Sequence, residues 1–429
     1  MFLQILDYLI YPFLFLSLFA QIFILSAFLS GRKRMQEEEQ FESIDFPKVT
    51  IVIPCWNESK NLTSTVDSII LSDYPKDKLE ILIGDNNSID NTLQVAEILQ
   101  EKYKDICEIK MFKEFKQGKH HVINSAMDLS SADFFGCLDA DTTLAHDAIS
   151  KNMKYFSDPE IMSSTSCVKI KSPQKTWIQK LQSIEYLIGV FMRKSYGNIN
   201  AIQVVPGPLS IYRKEIFQKI GGFRDGHKVE DFEMTIRLHR YHMKIANSHK
   251  AFVSTSGPST LMGYFKQRIR WTQGGIENVL DNKDMIFNKN YNHFGLFVMP
   301  VIVIFIFYAV YALIFFFFHT YLFLFQKLSL WAAYDYSFNL NYLFNFKRLD
   351  IFYFNTNMIF FLAMLMLTLY CFAIYIGRII SESHKNFYSN FIIYFLFFPY
   401  LAFYFSGKSC LNVLFRKKNV WELQDNKSS

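Results

Sequence analysis

Cysteine is scarce. Six stand in 429 residues (Cys55, Cys107, Cys137, Cys167, Cys371 and Cys410), and no two form a CxxC pair. That excludes a small disulfide scaffold, and in a cytosolic domain such thiols stay reduced and serve as packing residues. Charge is thin as well, at 20% against 51% hydrophobic residues, of which aromatics alone supply 17% of the chain. An intrinsically disordered protein has the opposite balance. No basic-aromatic array is present, which argues against nucleic acid as a partner. The formal net charge of +6 is modest and suits membrane orientation and phosphate attraction. There is no internal repeat, and the only low-complexity run is Gln36-Glu37-Glu38-Glu39-Gln40.

The shortage of charge is local. Residues 8–31, 290–326, 351–377 and 386–407 contain no Asp, Glu, Lys or Arg and are dense in Phe, Leu and Ile. Each exceeds the roughly 20 residues that carry a helix across a bilayer core. Between the first and second lies a polar block, 37–289, that carries most of the charge. The mean hydropathy of +0.10 therefore averages two unlike compositions, a water-facing domain and the membrane helices that bracket it.

The first stretch is too long for a signal peptide and is followed by Arg32-Lys33-Arg34, so it reads as an uncleaved anchor with the polar block in the cytosol. Arg378 and Lys385 also suit the cytosolic side. The last segment, 387–415, is too long for one simple pass and too short for two, with expected breaks at Phe398-Pro399-Tyr400 and Ser406-Gly407. Arg416-Lys417-Lys418 favours a cytosolic tail, whereas one pass from the 378–385 loop puts that tail outside. A re-entrant or broken helix would remove the conflict; the number of passes stays open.

Within the polar block, 49–53 is a β-branched run closed by Pro54, and 79–83 and 134–138 are further apolar strands, with 108–112 between them. Helical spacing follows at 58–71 and from Asp90, a candidate cap, through Val95 and Leu99. Alternation of this kind predicts a mostly parallel sheet with helices on both faces, and ligands bind at the carboxyl ends of its strands. Beyond Asp141 the pattern loosens. Helices are expected over 172–196, 230–241 and, amphipathic and interfacial, 259–280, with a strand inside 201–212 interrupted by Pro206-Gly207-Pro208 and a turn at Gly221-Gly222.

Several clusters carry chemistry. Asp139-Ala140-Asp141 directly follows a strand, and two hard carboxylates so spaced can hold Mg²⁺ or Mn²⁺ against a diphosphate; alone, the same pair is a solvated turn. Asp85 ends a strand and can read a nucleoside by hydrogen bonds, or belong to an Asx-rich turn. Glu230-Asp231 opens a helix and offers a general base or a cap. In Gln267-Arg268-Ile269-Arg270-Trp271, Arg270 can hold a diphosphate and Trp271 can stack on a sugar, although lipid-facing helices share this composition. Lys119 is a phosphate candidate or a solvated loop lysine; His120 and His121 read as structural.

Taken in order, Pro54-Cys55-Trp56-Asn57-Glu58, Asp85 with Ser88 and Asp90, Gln117-Gly118-Lys119, Asp139-Ala140-Asp141, Glu230-Asp231 and the Gln267, Arg270, Trp271 set make the chain resemble membrane-bound family 2 glycosyltransferases, whose fold is GT-A. The nearest pattern is that of synthases of poly-N-acetylglucosamine, hyaluronan, chitin and cellulose. The resemblance covers about 48–275. It implies an α/β fold, a mixed sheet with helices on both faces, plus transmembrane helices. It implies Trp56 near the uracil, Glu58 in the donor site, Asp85 on the uridine and Lys119 near the nucleotide. Asp139 would contact the nucleotide and, with Asp141, the Mg²⁺ or Mn²⁺. Asp231, beside Glu230, would be the base of an inverting displacement. Gln267 and Arg270 would close over the diphosphate, and Trp271 would border the acceptor. Two positions depart from the pattern: Val229 stands where Thr is usual, and Gln117 where a second Gly is common.

These observations lead to the expectation of a multi-pass plasma-membrane enzyme using a UDP-sugar donor. The expected units are an anchor at 1–34, a cytosolic GT-A domain at 45–257, an interfacial region at 258–289, a transmembrane region at 290–415 and a tail at 416–429. The acceptor is expected to be a growing β-linked polysaccharide, extended processively. The alternative acceptor is a membrane lipid receiving one or a few sugars. A transport or interaction protein is disfavoured, because every acid the chemistry needs is present and the apolar spans carry no charges to line a path. An accessory subunit is not legible.

Overall fold

A computed structural model describes residues 8–31, 46–333, 358–383 and 386–417. Arg32-Lys33-Arg34, Lys385, Lys418, the 36–40 run and the start of the third apolar stretch lie outside these residues. In chain order the elements are α1 (Ile10–Ser30), β1 (Val49–Cys55), α2 (Leu62–Ile70), β2 (Leu79–Asp85), α3 (Thr92–Tyr103), β3 (Glu108–Lys113), α4 (Lys119–Leu129), β4 (Phe134–Cys137) and β5 (Thr143–Leu144). Next come α5 (Ala148–Met153), β6 (Ile161–Ile170), α6 (Trp177–Asn198), β7 (Ser210–Arg213), α7 (Ile216–Ile220), α8 (Glu230–Arg240), β8 (Lys244–Thr255), α9 (Leu261–Asp281), α10 (Met299–Ala333), α11 (Met358–Ile380) and α12 (Phe387–Leu414).

The strands form one sheet in the order β3-β2-β1-β4-β7-β6-β8-β5. Its first half is parallel, as the alternation predicts, and β7 enters antiparallel between β4 and β6. Helices cover both faces. Val66, Ile69, Ala96, Leu99 and Ile149 pack on one side, and Ile123, Met127, Phe217, Met234 and Leu238 on the other. Val49, Ile51, Val52 and Ile53 are fully buried, the pattern of a strand covered on both faces.

The differences from expectation are local. β1 runs through Pro54 to Cys55, because Pro54 pairs with Gly84 at the strand's last rungs. α2 starts at Leu62, not at Glu58. α6 starts at Trp177, five residues later than expected, where Thr176 and Gln179 form a reciprocal capping box. Asp90 accepts from the amide of Thr92 at 3.0 Å, but the cap position is Asn91. The loose region beyond Asp141 holds two long strands, β6 and β8, paired in parallel.

Four helices are long and apolar enough to cross a membrane: Ile10–Ser30, Phe294–Ser329, Met358–Ile380 and Phe387–Leu414. The last corrects the expected breaks, since it is one continuous helix with Pro399 inside. These helices meet the sheet domain through two further apolar clusters. One joins Ala20, Ile24 and Phe28 of α1 to Phe191, Phe232 and Phe294; the other joins Leu181 and Tyr264 to Ile374, Tyr394 and Phe405.

Candidate active site

The parallel strands deliver the candidate residues to one edge. Cys55 and Asp85 are register partners at the carboxyl ends of β1 and β2, and the Leu138 amide donates to Val52 O at 2.9 Å, so Asp139 emerges beside them. The loops above are laced together by side chains. Asn57, at φ 57°, accepts from the Ile89 amide through Oδ1 at 2.9 Å, while its own amide donates to Ser88 Oγ at 2.9 Å. Asp85 is buried and faces the Ser88 amide at 3.3 Å. Trp56 is half-buried in this lacing. Asn86 donates to Lys116 O at 2.8 Å and accepts from the Gly118 amide at 2.8 Å. Gly118 sits at φ +136°, a conformation that favours glycine, and turns the chain into α4 so that Lys119 heads it.

Lys119 is the hub. Its Nζ lies 2.7 Å from Asp139 Oδ1 and 2.9 Å from Glu230 Oε1. Burial works against its charge, but Asp139 and Glu230 outweigh burial and hold its pKa well above the usual lysine range. Glu230 is likewise opposed by burial, yet Lys119 and then Arg270 keep it ionised below the usual carboxylate range. Asp231 is treated differently: burial first, and the neighbouring Glu230 charge second, push it up to about 6. Two adjacent acids are thus driven apart, one fixed as an anion and one poised as a proton acceptor.

A second acidic group lies beside the first. Burial, then Asp139, raises Asp141 to about 6, although Thr255 Oγ1 donates to it at 3.1 Å. Burial, with Asp141, Asp139 and Asp90, raises Glu58 to about 7 against the 2.8 Å hydrogen bond from Asn61. Burial is the main cause of both shifts and the neighbouring acids add to it, so a cation placed among these carboxylates would be favoured. Two hard oxygen donors at Asp139 and Asp141 fit a divalent cation on that ground. Among the described residues no set of three or more His, Cys, Asp or Glu is arranged to hold a metal, so the remaining ligands would come from phosphate or water.

The backbone of Gly207 covers the hub. A Cβ there would fall 2.7 Å from Lys119 Nζ and 3.0 Å from Asp139 Oδ1.

α9 brings the last group. Arg270 Nη1 donates to Lys228 O at 2.6 Å, Asn278 Nδ2 to Gly226 O at 2.8 Å, and Gly274 lies so close that a Cβ would fall 2.6 Å from His227 O and Val229 Cγ2. These contacts seat α9 against the segment leading into Glu230-Asp231. Val229, the departure from the family pattern, is therefore a packing surface for α9. Gly274→Val is expected to cost about 1–3 kcal/mol by overpacking, read as a lowered unfolding midpoint in detergent. Within α9, Arg268 is almost wholly buried and forks onto Glu185 at 2.8 and 2.7 Å. Its Nη1 donates to Gln267 Oε1 at 2.6 Å, and its guanidinium stands 4.3 Å from the Trp271 ring centroid. Trp271 remains 37% exposed, enough to present a face.

The structure thus brings Glu58, Lys119, Asp139, Asp141, Glu230, Asp231 and Arg270 into one electrostatic neighbourhood, with Asp85 and Trp56 on the adjoining strand ends. His120, next to the hub, lies 3.7 Å from Asp225, packs against His121 and feels the Glu230 charge. All six cysteines are free thiols. Sequence reasoning missed Glu185, Thr255, Gly274 and Asn278, because none belongs to a recognisable local pattern.

A parallel half-sheet that gathers acids at its carboxyl edge, joined to a mixed half and apolar helices, defines a GT-A-type fold. The chain aligns over 94% of its length with the solved mannosyltransferase PcManGT from Pyrobaculum calidifontis in complex with GDP-Man and Mn²⁺, covering 99% of that chain at a TM-score of 0.53 and 17% identity. Residues 47–274 match the family described as "Glycosyltransferase like family 2", and the chain belongs to that family. It is 30% identical over 248 residues to the poly-β-1,6-N-acetyl-D-glucosamine synthase of Staphylococcus epidermidis, covering 57% of each protein. It is 28% identical over 256 residues to the same synthase of Staphylococcus aureus strain COL, covering 58% of this chain and 60% of that protein. The matched segment thus spans less than two thirds of these relatives.

Proposed function

We propose that the protein is a membrane-embedded, inverting glycosyltransferase that moves a hexosyl or N-acetylhexosaminyl group from a UDP-sugar to a growing β-linked polysaccharide, processively, at the cytosolic face of the plasma membrane. The catalytic domain is 45–257, with 258–289 as an interfacial region, and 1–34 and 290–415 embed it. One observation carries the reading: Asp231, raised towards neutrality, sits beside the Lys119–Glu230–Asp139 network under α9.

The roles follow from chemistry. Asp231 accepts the proton of the attacking hydroxyl, and Glu230 holds it in that range by like charge. Asp85 and Trp56 receive the uridine, with Glu58 beside the diphosphate. Lys119, Gln267 and Arg270 stabilise negative charge that gathers on the leaving diphosphate. Trp271 borders the acceptor sugar. Asp139 and Asp141 would hold Mg²⁺ or Mn²⁺, which when bound neutralises the diphosphate as a Lewis acid. The relatives' names favour a polymer acceptor over the lipid alternative.

Because Asp231 must be ionised to act, turnover is expected to fall as pH drops through about 6 and to level off above it. A rate–pH profile at saturating donor checks this. A profile flat from pH 5 to about 8 is incompatible with Asp231 as the base. Product sizing with a panel of UDP-sugars tests the acceptor: long chains support the polymer reading, a single lipid-linked sugar refutes it.

A further inference from the structure

The cations described so far have acids to meet them. Arg268 has Glu185, and Lys119 has Asp139 and Glu230. Arg193, on α6, has none. Its Nη2 is buried without a hydrogen-bond partner, and among the described residues no carboxylate stands within ion-pair reach of its guanidinium. Gly189, one turn earlier, leaves that flank open, since even a Cβ there would lie 3.5 Å from Nη1. β6 faces it across a cleft. Cys167 and Lys169 alternate onto one face of that strand, and the Cys167 thiol feels both Arg193 and Lys169. Lys169 Nζ lies 3.4 Å from the Phe252 ring centroid, and it too pairs with no carboxylate among the described residues.

The neighbouring groups do not neutralise this pair. Burial pushes the Cys167 thiol up to about 11 and the Tyr186 phenol, which also feels Arg193, up to about 12, so both stay neutral. The Glu382 charge reaches Lys169, but burial outweighs it and holds Lys169 below the usual lysine range. Burial pushes Arg193 down as well, with only the thiol and the phenol opposing. A charge taken out of water without a partner is costly, and folds keep such groups where function needs them.

The position of the cleft selects the chemistry of its ligand. At one end Lys171 continues the row towards the candidate active site: its amide donates to Thr255 O at 3.0 Å, and Asp141 and Glu58 act on its side chain. The other end lies beside α11. Gly377 abuts the Leu187 backbone of α6, and Glu382, just past the end of this candidate span, is the acid that reaches Lys169. Arg378 in the last turn of α11 marks the same level, that of lipid headgroups. A guanidinium matches a phosphate through paired N–H groups, and an ammonium adds a point charge.

We propose that Arg193 and Lys169 bind a phosphate ester in the cleft between α6 and β6, at a site separate from the donor diphosphate assigned to Lys119 and Arg270. The phosphate belongs to a lipid headgroup or to a soluble ester that enters the same cleft. The inference does not depend on the proposed reaction.

Thermal unfolding of the full chain in detergent tests it. Inorganic phosphate is compared with chloride at equal ionic strength, and phosphatidylglycerol with phosphatidylcholine in mixed micelles. The wild-type midpoint is expected to rise by several degrees with at least one of the two phosphate probes, because a ligand of the folded state stabilises it. The rise is expected to vanish in Arg193→Met, to shrink in Lys169→Gln, and to persist in Lys175→Gln, which removes an exposed charge just before α6. A rise with phosphatidylglycerol alone makes a lipid headgroup the source, whereas a rise with inorganic phosphate admits a soluble ester. Without either probe, Arg193→Met is expected to melt above the wild type, since it removes an unpaired charge. If it melts lower, Lys169→Gln decides: a reduced rise supports the site and a full rise overturns it. No rise in the wild type with either probe, or a full rise in both Arg193→Met and Lys169→Gln, overturns the proposal.

Discussion

Asp231→Asn is expected to lower turnover by about 10²- to 10⁴-fold, the range contributed by a positioned general base, while UDP binding stays within about twofold. The asymmetry follows from the site. The Asp231 carboxylate accepts a hydrogen bond from its neighbour's amide, Phe232 N at 2.8 Å, whereas Lys119 is engaged by Asp139 and Glu230. Asn keeps the size and the amide contact and removes the proton acceptor. Glu230→Gln should act differently. It withdraws the charge that helps raise Asp231 and leaves Lys119 with Asp139 alone, so the pH profile shifts to lower pH and nucleotide binding changes as well. A rate loss of equal size in both variants, with no pH shift in either, would remove Asp231 from the base role.

The second large effect is on stability. Arg268→Met is expected to cost about 3–5 kcal/mol, because it strands the Glu185 carboxylate in a site built for a bidentate partner. The double variant Glu185→Leu/Arg268→Met should recover most of that loss, since two apolar groups replace an ion pair at little net cost. The unfolding midpoint in detergent measures both. Activity should not recover in the double variant. Arg268 also fixes Gln267 Oε1 and underlies the Trp271 ring, and neither leucine nor methionine replaces those contacts.

How much of this was legible in the sequence depends on where packing leaves a local trace. β1, β2 and β4 announce themselves as short apolar runs, and the acids that follow them stand at strand ends because that is where such runs stop. β6 does not. Ser163, Ser164, Thr165 and Ser166 are all fully buried, so a core strand reads as a polar loop. Two of the hydroxyls are taken up by tertiary partners that no local pattern encodes, Ser166 Oγ by Pro208 O at 2.6 Å and Ser164 Oγ by Asn152, while Ser163 Oγ and Thr165 Oγ1 are buried with no hydrogen-bond partner among the described residues. β8 is obscured for a related reason: Asn247, Ser248 and His249 interrupt its apolar alternation yet are buried. The Gln267–Trp271 segment was visible, but its support was not. Glu185 lies 83 residues from Arg268, and only the fold brings them together. The breaks expected at Pro399 and Ser406-Gly407 failed because contacts with α6 and α9 along the whole helix hold α12 continuous across its proline.

On the proposed function, the acids at the carboxyl edge of the sheet bind a metal–nucleotide donor for transfer. The most direct measurement is UDP release by the purified protein in detergent with Mn²⁺ and a panel of UDP-sugars, paired with donor binding to the wild type and to Asp141→Ala. Release with at least one donor is expected from the wild type, and loss of both release and Mn²⁺-dependent donor binding from Asp141→Ala. No release with any donor, together with donor binding unchanged in Asp141→Ala, would contradict it.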